Sequence, residues 1–489
     1  MKRIIAILFI ITPYGIMGQL LFDKNFDSGS MDSAYFAEGF WNINYSTSLH
    51  FRVKGCVSQT PVFRIWVNPN WLWHFRASHR MVWRYNSSSS YSYMDTAWVS
   101  GGYYYFKNSS SFTSDTIFIA YLFPFTYFDM TNYINTIQLS QWVRNAGIKG
   151  YSVLGRNIYG YEVTNSSYPD SIKKQIVITA RQHPYETLGQ HICTGLSDYL
   201  VNSNDSIAVW LRNNCIFYFY PMINPDGVFL GLNTETYTGY NPNRYWYNGD
   251  TVTNPSPCRE TNVVRQDIWQ RTSGRVYYSF DMHSNAGSLI YYYCGLKTAP
   301  EPYRSMAFEI VANIRKSDSL INNGNILMPS DMACDTYQST NWYADFWLWN
   351  NRQSAAFTLE TATVPPQSLM RIRNNGVAIA RGIYLSLKNQ LTGIQTVTTE
   401  IPGGFSLSQN YPNPFNPVTN FEFQIADFGS VKLEIFDALG RKIETLVDSR
   451  LKPGTYRVDW SAAKYPTGIY FYELRTKSFT KTKKMVLVK

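Results

Sequence analysis

The sequence predicts a multidomain chain: an antiparallel β-sandwich, an α/β domain with a mixed sheet flanked by helices, and a second, small β-sandwich. Three observations lead there. At 489 residues the chain exceeds the usual size of one compact domain. Its 45% hydrophobic content, with 38 Tyr and 29 Phe, supplies core material and excludes a disordered or collagen-like chain. The texture also changes twice: short alternating runs, then strands interleaved with longer helical segments, then alternating runs again.

The first segment, 1–18, reads as a secretory signal. Lys2 and Arg3 precede the apolar run Ile4 to Ile11, and small residues lie near a cleavage point at Gly18/Gln19. That run is too short to span a bilayer, and no later one approaches the roughly 20 residues needed, so no stable membrane insertion is expected. Residues 19–137 hold alternating runs such as "FRIWV", "MVWRY", "YYYF" and "TIFIAYLFPFTYF", split by polar turns, as in a sandwich. Six Trp fall here (41, 66, 71, 73, 83, 98); in so small a sandwich they are expected in the core rather than on a sugar-binding face. His50, His74 and His79 lack acidic companions at useful spacing and read as structural.

In 138–391, strand-like "KKQIVITA", "CIFYFYPMI", "VYYSFDMH" and "SAAFTLET" alternate with helical stretches. Functional side chains in such sheets gather beyond the carboxyl ends of the strands. Residues 392–404 are small and polar, a linker by composition, and 405–489 return to alternating strands. The net charge of +10 is uneven: 405–489 alone carries 13 Lys+Arg against 8 Asp+Glu, leaving a nearly neutral body with no nucleic-acid signature. Six scattered cysteines permit disulfides after export without specifying a pairing.

The chemistry concentrates in the middle segment. His183 and Glu186 follow the strand "IVITA" in "ARQHPYET", and His283 ends "VYYSFDMHS". Two imidazoles and one carboxylate, with a position left for water, make a catalytic zinc shell for one ion. Glu360 emerges from the apolar strand "AAFTLETA", where desolvation would raise its pKa towards a range useful for proton transfer. Arg244 in "NPNRYW" has the planar fork that receives a carboxylate, with Asn243 beside it. "YPMINPDGV" is a strand running into a sharp turn.

In this order the motifs resemble the zinc metallocarboxypeptidase family, in the subgroup similar to cytosolic carboxypeptidases that carries an N-terminal β-sandwich, over about residues 25–390. The resemblance implies zinc on His183, Glu186 and His283, Glu360 as general base, and Asn243 with Arg244 on the terminal carboxylate of a peptide or protein substrate. Tyr337, in "DTYQS", matches the mobile tyrosine that closes over the substrate. Two positions depart from the pattern. "VFLGLNTETYTGY" holds no Arg or Lys where the family has a carbonyl-polarising arginine, leaving Arg181 and Arg259 as candidate replacements. Asn241 stands where the family has an acid behind a zinc-bound imidazole. Rival readings are a zinc amidase or deacylase on cell-wall peptides or N-acyl amino acids, and an inactive peptide-binding surface protein.

Residues 405–489 carry a second resemblance. "NYPNPFNPVTNFEF", "IFDALGRKIETL", "PTGIYFYELRT" and the basic close are similar to the C-terminal sorting domain of type IX secretion substrates. It implies Sec export, then passage across the outer membrane by the type IX machinery, to a secreted or cell-surface location. The sequence does not fix the oligomeric state.

Overall fold

The computed structural model describes residues 20–26, 29, 33–37, 40–44, 49–67, 78–86, 90–247, 252, 255–272, 274–285, 291–293, 303–317, 344–362, 368–391, 394–398 and 400–489. The leader expected over 1–18 lies outside them. Two compact units divide the chain, Met1–Ile383 and Tyr384–Lys489.

The first unit opens with two five-stranded sheets. One comprises Leu21–Asp23, His50–Lys54, Ile117–Ala120, Val82–Tyr85 and Ser92–Tyr93, all antiparallel. The other runs Ser33–Ala37, Phe40–Asn44, Phe63–Trp66, Tyr103–Lys107, Thr96–Ser100. Its pair Phe40–Asn44 and Phe63–Trp66 is parallel, so the sandwich is not wholly antiparallel as expected. Alternate residues point inward: Phe51, Val53, Phe63, Ile65, Phe106, Ile117 and Ile119 are fully buried, and the Phe51 and Phe63 rings meet across the sheets at 6.5 Å.

The same alternation overturns the expectation for the three tryptophans whose side chains are described. Trp66 shares its strand with inward Phe63 and Ile65 and is 52% exposed, while Trp83 and Trp98 are half-buried. Trp98 stacks on cross-strand Tyr105 at 5.0 Å and 3°. The Trp41, Trp71 and Trp73 side chains lie outside the described residues. His50 and His79 are buried, as structural histidines should be.

Part of the run "TIFIAYLFPFTYF" also departs from expectation. Only Ile117–Ala120 is a strand; Tyr127–Ile137 is a helix. Thr126 and Asp129 form a reciprocal capping box at its start, satisfying N–H groups that helix ends leave open. An aromatic-rich run hides that signal.

The seven-stranded mixed sheet follows, in the order Val143–Tyr151, Asn157–Val163, Cys215–Tyr220, Lys174–Ala180, Val276–Asn285, Ala355–Ala362, Tyr291–Tyr293. The middle four are parallel, and the outer pairings are antiparallel. Val264 and Ile268 of helix Arg259–Arg271, with Trp347 and Leu348 of Ala344–Arg352, pack with the sheet residues Val177, Tyr218 and Ala356 in one core cluster. Helix Thr187–Asn202 packs on Val276–Asn285. A Cβ on Gly189 would lie 2.6 Å from the Met282 carbonyl oxygen, so only glycine lets this helix start so close to the strand end at His283. Gly189→Ala is expected to cost about 1–3 kcal/mol of stability, readable as a lowered Tm.

The second unit has two antiparallel four-stranded sheets around a core that includes Phe421, Phe423, Leu433, Ile435, Tyr472 and Leu474. The segment 392–404, expected as a linker, contributes the strand Ile394–Thr398, which pairs with Gly454–Ser461. Its β-branched Ile, Thr, Val and Thr suit an extended edge better than a loop. The four described cysteines, 56, 193, 215 and 258, are all buried free thiols. No helix among the described residues is long and apolar enough to cross a membrane.

Candidate metal centre

The strand Lys174–Ala180 delivers the first two candidate ligands. Beyond it the chain must turn sharply, and Arg181 takes the left-handed conformation at φ 60°, unusual for a residue with a side chain. Arg181 is buried and donates through Nε to Pro184 O (2.9 Å) and through Nη1 to Phe125 O (2.9 Å). It thereby ties the loop 181–186 to the segment leaving the first sandwich. Asn224, of the Asn-Pro-Asp-Gly turn, supports the loop from the other side, its Nδ2 donating to Gln182 O at 3.2 Å.

His183 and Glu186 project from this loop, with Glu186 at the helix start. The third, His283, lies at the end of Val276–Asn285, in direct register with Glu360 on the neighbouring parallel strand. Ligand atoms of His183, Glu186 and His283 all fall within 4.8 Å of one another. His183 Nδ1 is 2.8 Å from Glu186 Oε1, and His283 Nδ1 is 2.7 Å from Glu186 Oε2. Behind the rings, His183 Nε2 lies 3.0 Å from Asn241 Oδ1, and His283 Nε2 lies 2.7 Å from Asp281 Oδ2 and 3.3 Å from Asn243 Nδ2; with the proton on Nε2, each ring donates to the oxygen. With both Nε2 atoms so engaged, the Nδ1 atoms and the carboxylate converge on one point. Two nitrogens and one oxygen are a donor set that fits zinc.

Burial and charge shape the titration. Burial opposes a charged Glu186, but the His183 and His283 rings outweigh it and hold the carboxyl far below its ordinary range. Burial likewise opposes a charged His283, yet the Asp281 and Glu186 carboxylates raise it well above the usual imidazole value. Glu360 is pushed up to about 8 by burial and then by the Glu186 charge, against the lowering pull of His283 and Arg244. Among the described residues its Oε2 has no hydrogen-bond partner.

Asn243 is buried and its Oδ1 accepts from Gln182 Nε2 (3.2 Å) and Ala344 N (3.3 Å), so it braces the site's interior. Arg244 is half-buried, with Nη1 donating to Asn243 O at 2.9 Å. Tyr337 lies outside the described residues. Of the two candidate replacement cations, Arg181 bonds the two carbonyls above, and Arg259 is exposed at a helix start with Nε on Tyr151 O. Sequence reasoning overlooked Asp281 and Gln182. Asp281 carried a signal, since residues i and i+2 of a strand share a face and it stands two before His283.

A mixed sheet whose strand ends gather two imidazoles and a carboxylate, with a second carboxylate alongside, is the architecture of a mononuclear metallohydrolase. Within that class the chain belongs to the zinc carboxypeptidase family, which residues 130–375, half its length, match. Residues 409–489 match the secretion system C-terminal sorting domain, the address for export across the outer membrane by the type IX route. Human cytosolic carboxypeptidase 6 is 29% identical over 325 residues, 56% of this chain and 60% of that protein. Human cytosolic carboxypeptidase 2 is 31% identical over 194 residues, 37% of this chain and 21% of that protein. The chain thus spans less than two thirds of the length of these relatives. Among solved structures, a metallo-carboxypeptidase from Burkholderia cenocepacia superposes with TM-score 0.65 at 17% identity, over 76% of this chain and 100% of that one. One from Pseudomonas aeruginosa gives 0.63 at 19%, over 75% and 99%. At these identities the likeness shows the fold.

Proposed function

We propose that this chain is an exported zinc-dependent carboxypeptidase that removes C-terminal residues from peptides or proteins. The observation that carries the reading is the convergence of His183, Glu186 and His283 with Glu360 in register beside them. Zinc bound by those three residues supplies Lewis acidity, polarising the scissile carbonyl and acidifying water. Glu360 takes the proton of the attacking water and returns it to the leaving amine. Its position in an apolar strand end, beside the Glu186 charge, gives it the basicity for both transfers. Arg244 receives the substrate's terminal carboxylate, and Asn243, held by Gln182 and Ala344, braces the loop that presents it. Such a receptor selects a chain end, because only there does a carboxylate stand one residue beyond the scissile bond.

The test is turnover of a peptide mixture varied at the C-terminus, offered as free acids and as amides. Release of single terminal residues from the acids alone is expected. Equal cleavage of the amides would move the reading to an amidase, and no turnover by zinc-loaded protein would leave a peptide-binding role. Arg244→Met should lower kcat/KM for the free acids by about 10²–10³-fold, the usual cost of removing one side of a charge pair. An unchanged KM there would remove Arg244 from the receptor.

A further inference from the structure

The two imidazoles of the metal cluster are held from behind by unlike groups. His183 faces the neutral amide of Asn241, whose Oδ1 is identified as oxygen because the Asn243 backbone N–H also donates to it, at 3.0 Å. His283 faces the carboxylate of Asp281 at 2.7 Å, with the Asn243 amide nitrogen farther off at 3.3 Å. Asp281 is 1% exposed, and among the described residues it has no lysine or arginine partner. A buried carboxylate without a cation is costly, and a fold keeps one only where a charge answers it.

Neutral donors complete its surroundings. The Thr179 hydroxyl donates to Oδ1 at 2.7 Å, from the strand position paired with Asp281. Gln182 Nε2 donates to Oδ2 at 2.5 Å and also reaches Asn243 Oδ1 at 3.2 Å, while Gln182 Oε1 accepts from Trp246 Nε1 at 2.7 Å. These bonds aim the carboxylate at His283 without neutralising it. The positive charge it answers lies beyond that ring, at the metal position.

We infer that Asp281 is a positioning residue for the metal centre. Its carboxylate fixes His283 with Nδ1 towards the metal and lends that ligand the anionic support that Asn241 does not give His183. His283 is therefore the stronger histidine anchor and His183 the weaker. The inference rests on the zinc reading above and goes beyond the ligand set to rank its members.

The test is zinc affinity of the full chain, by competition with a chromophoric chelator, together with the visible spectrum of the Co2+-substituted protein. Asp281→Asn should weaken zinc about 10–100-fold and alter the cobalt spectrum, the usual scale for losing a carboxylate behind a ligating histidine. Asn241→Ala should cost less than about tenfold, since only a neutral partner is lost. Adding Asn241→Asp to Asp281→Asn moves the carboxylate from one ring to the other and should recover most of the loss. A residue that only supports the fold would not be rescued this way. Asp281→Asn binding zinc like the native protein, or no recovery in the double variant, overturns the inference. If Asp281→Asn does not fold, Asn241→Ala decides: a loss of a hundredfold there would reverse the ranking. Native protein that binds no zinc would sink the metal-centre reading as a whole. Zinc held equally by native protein and Asp281→Asn would remove only the role of Asp281.

Discussion

Replacing Glu360 by Gln is expected to lower kcat by about 10²–10⁴-fold while zinc content stays at the native level. The amide keeps the shape of the carboxylate but cannot accept the proton of water at neutral pH. Zinc content should hold because the ligand atoms that converge belong to His183, Glu186 and His283. The pH profile carries a second expectation. Glu360 works as a base only when ionised, so activity should rise with pH along an acid limb as that carboxyl loses its proton. Without metal its pKa is raised to about 8 by burial and the Glu186 charge. A divalent cation in the cluster favours the ionised form, so the limb of the zinc-loaded protein should lie below that value. The limb should vanish in Glu360→Gln. Metal analysis beside a kcat/KM profile reads both, and native-like turnover in the variant would remove Glu360 from the chemistry.

What the sequence made legible was local. His183 and Glu186 share one turn, and Glu360 closes an apolar run, so spacing and alternation were enough to single them out. His283 was found for the same reason, as the last residue of a strand pattern. What stayed hidden depended on register or direction. Asp281 meets Thr179 because their strands pair at those residues, and nothing in either strand's composition states that pairing. Trp66 was assigned to the core by residue type, whereas its parity with Phe63 and Ile65 sets it outward. The Thr126 capping box and the strand Ile394–Thr398 were masked by their neighbours' composition, aromatic in one case and small and polar in the other. The contacts of Asn243 were hidden likewise: its amide oxygen accepts from Gln182 and from the Ala344 backbone N–H, 101 residues on.

Zinc removal is expected to abolish turnover, and the pH dependence of its return should reveal what occupies the site meanwhile. Without metal, His283 lies between the Asp281 and Glu186 carboxylates, which outweigh burial and hold its pKa well above the ordinary imidazole value. At neutral pH the ring therefore carries a proton on each nitrogen, and the one on Nδ1 takes the place of the ion. Zinc must displace it, so raising the pH removes a competitor and tightens binding. The sign would be opposite for a group that must gain a proton. Glu186 adds nothing to this window, since its carboxyl is held far below its ordinary range and is ionised throughout. Each displaced proton makes the affinity rise about tenfold per pH unit until the pH passes the group's metal-free pKa. Glu360, protonated below about 8, contributes a second proton if the ion's charge expels it as well. Titration calorimetry of the metal-free protein in buffers of different ionisation enthalpy should thus count one to two protons released per zinc between pH 6 and pH 7. Binding that releases none would mean that His283 is already neutral in the metal-free protein.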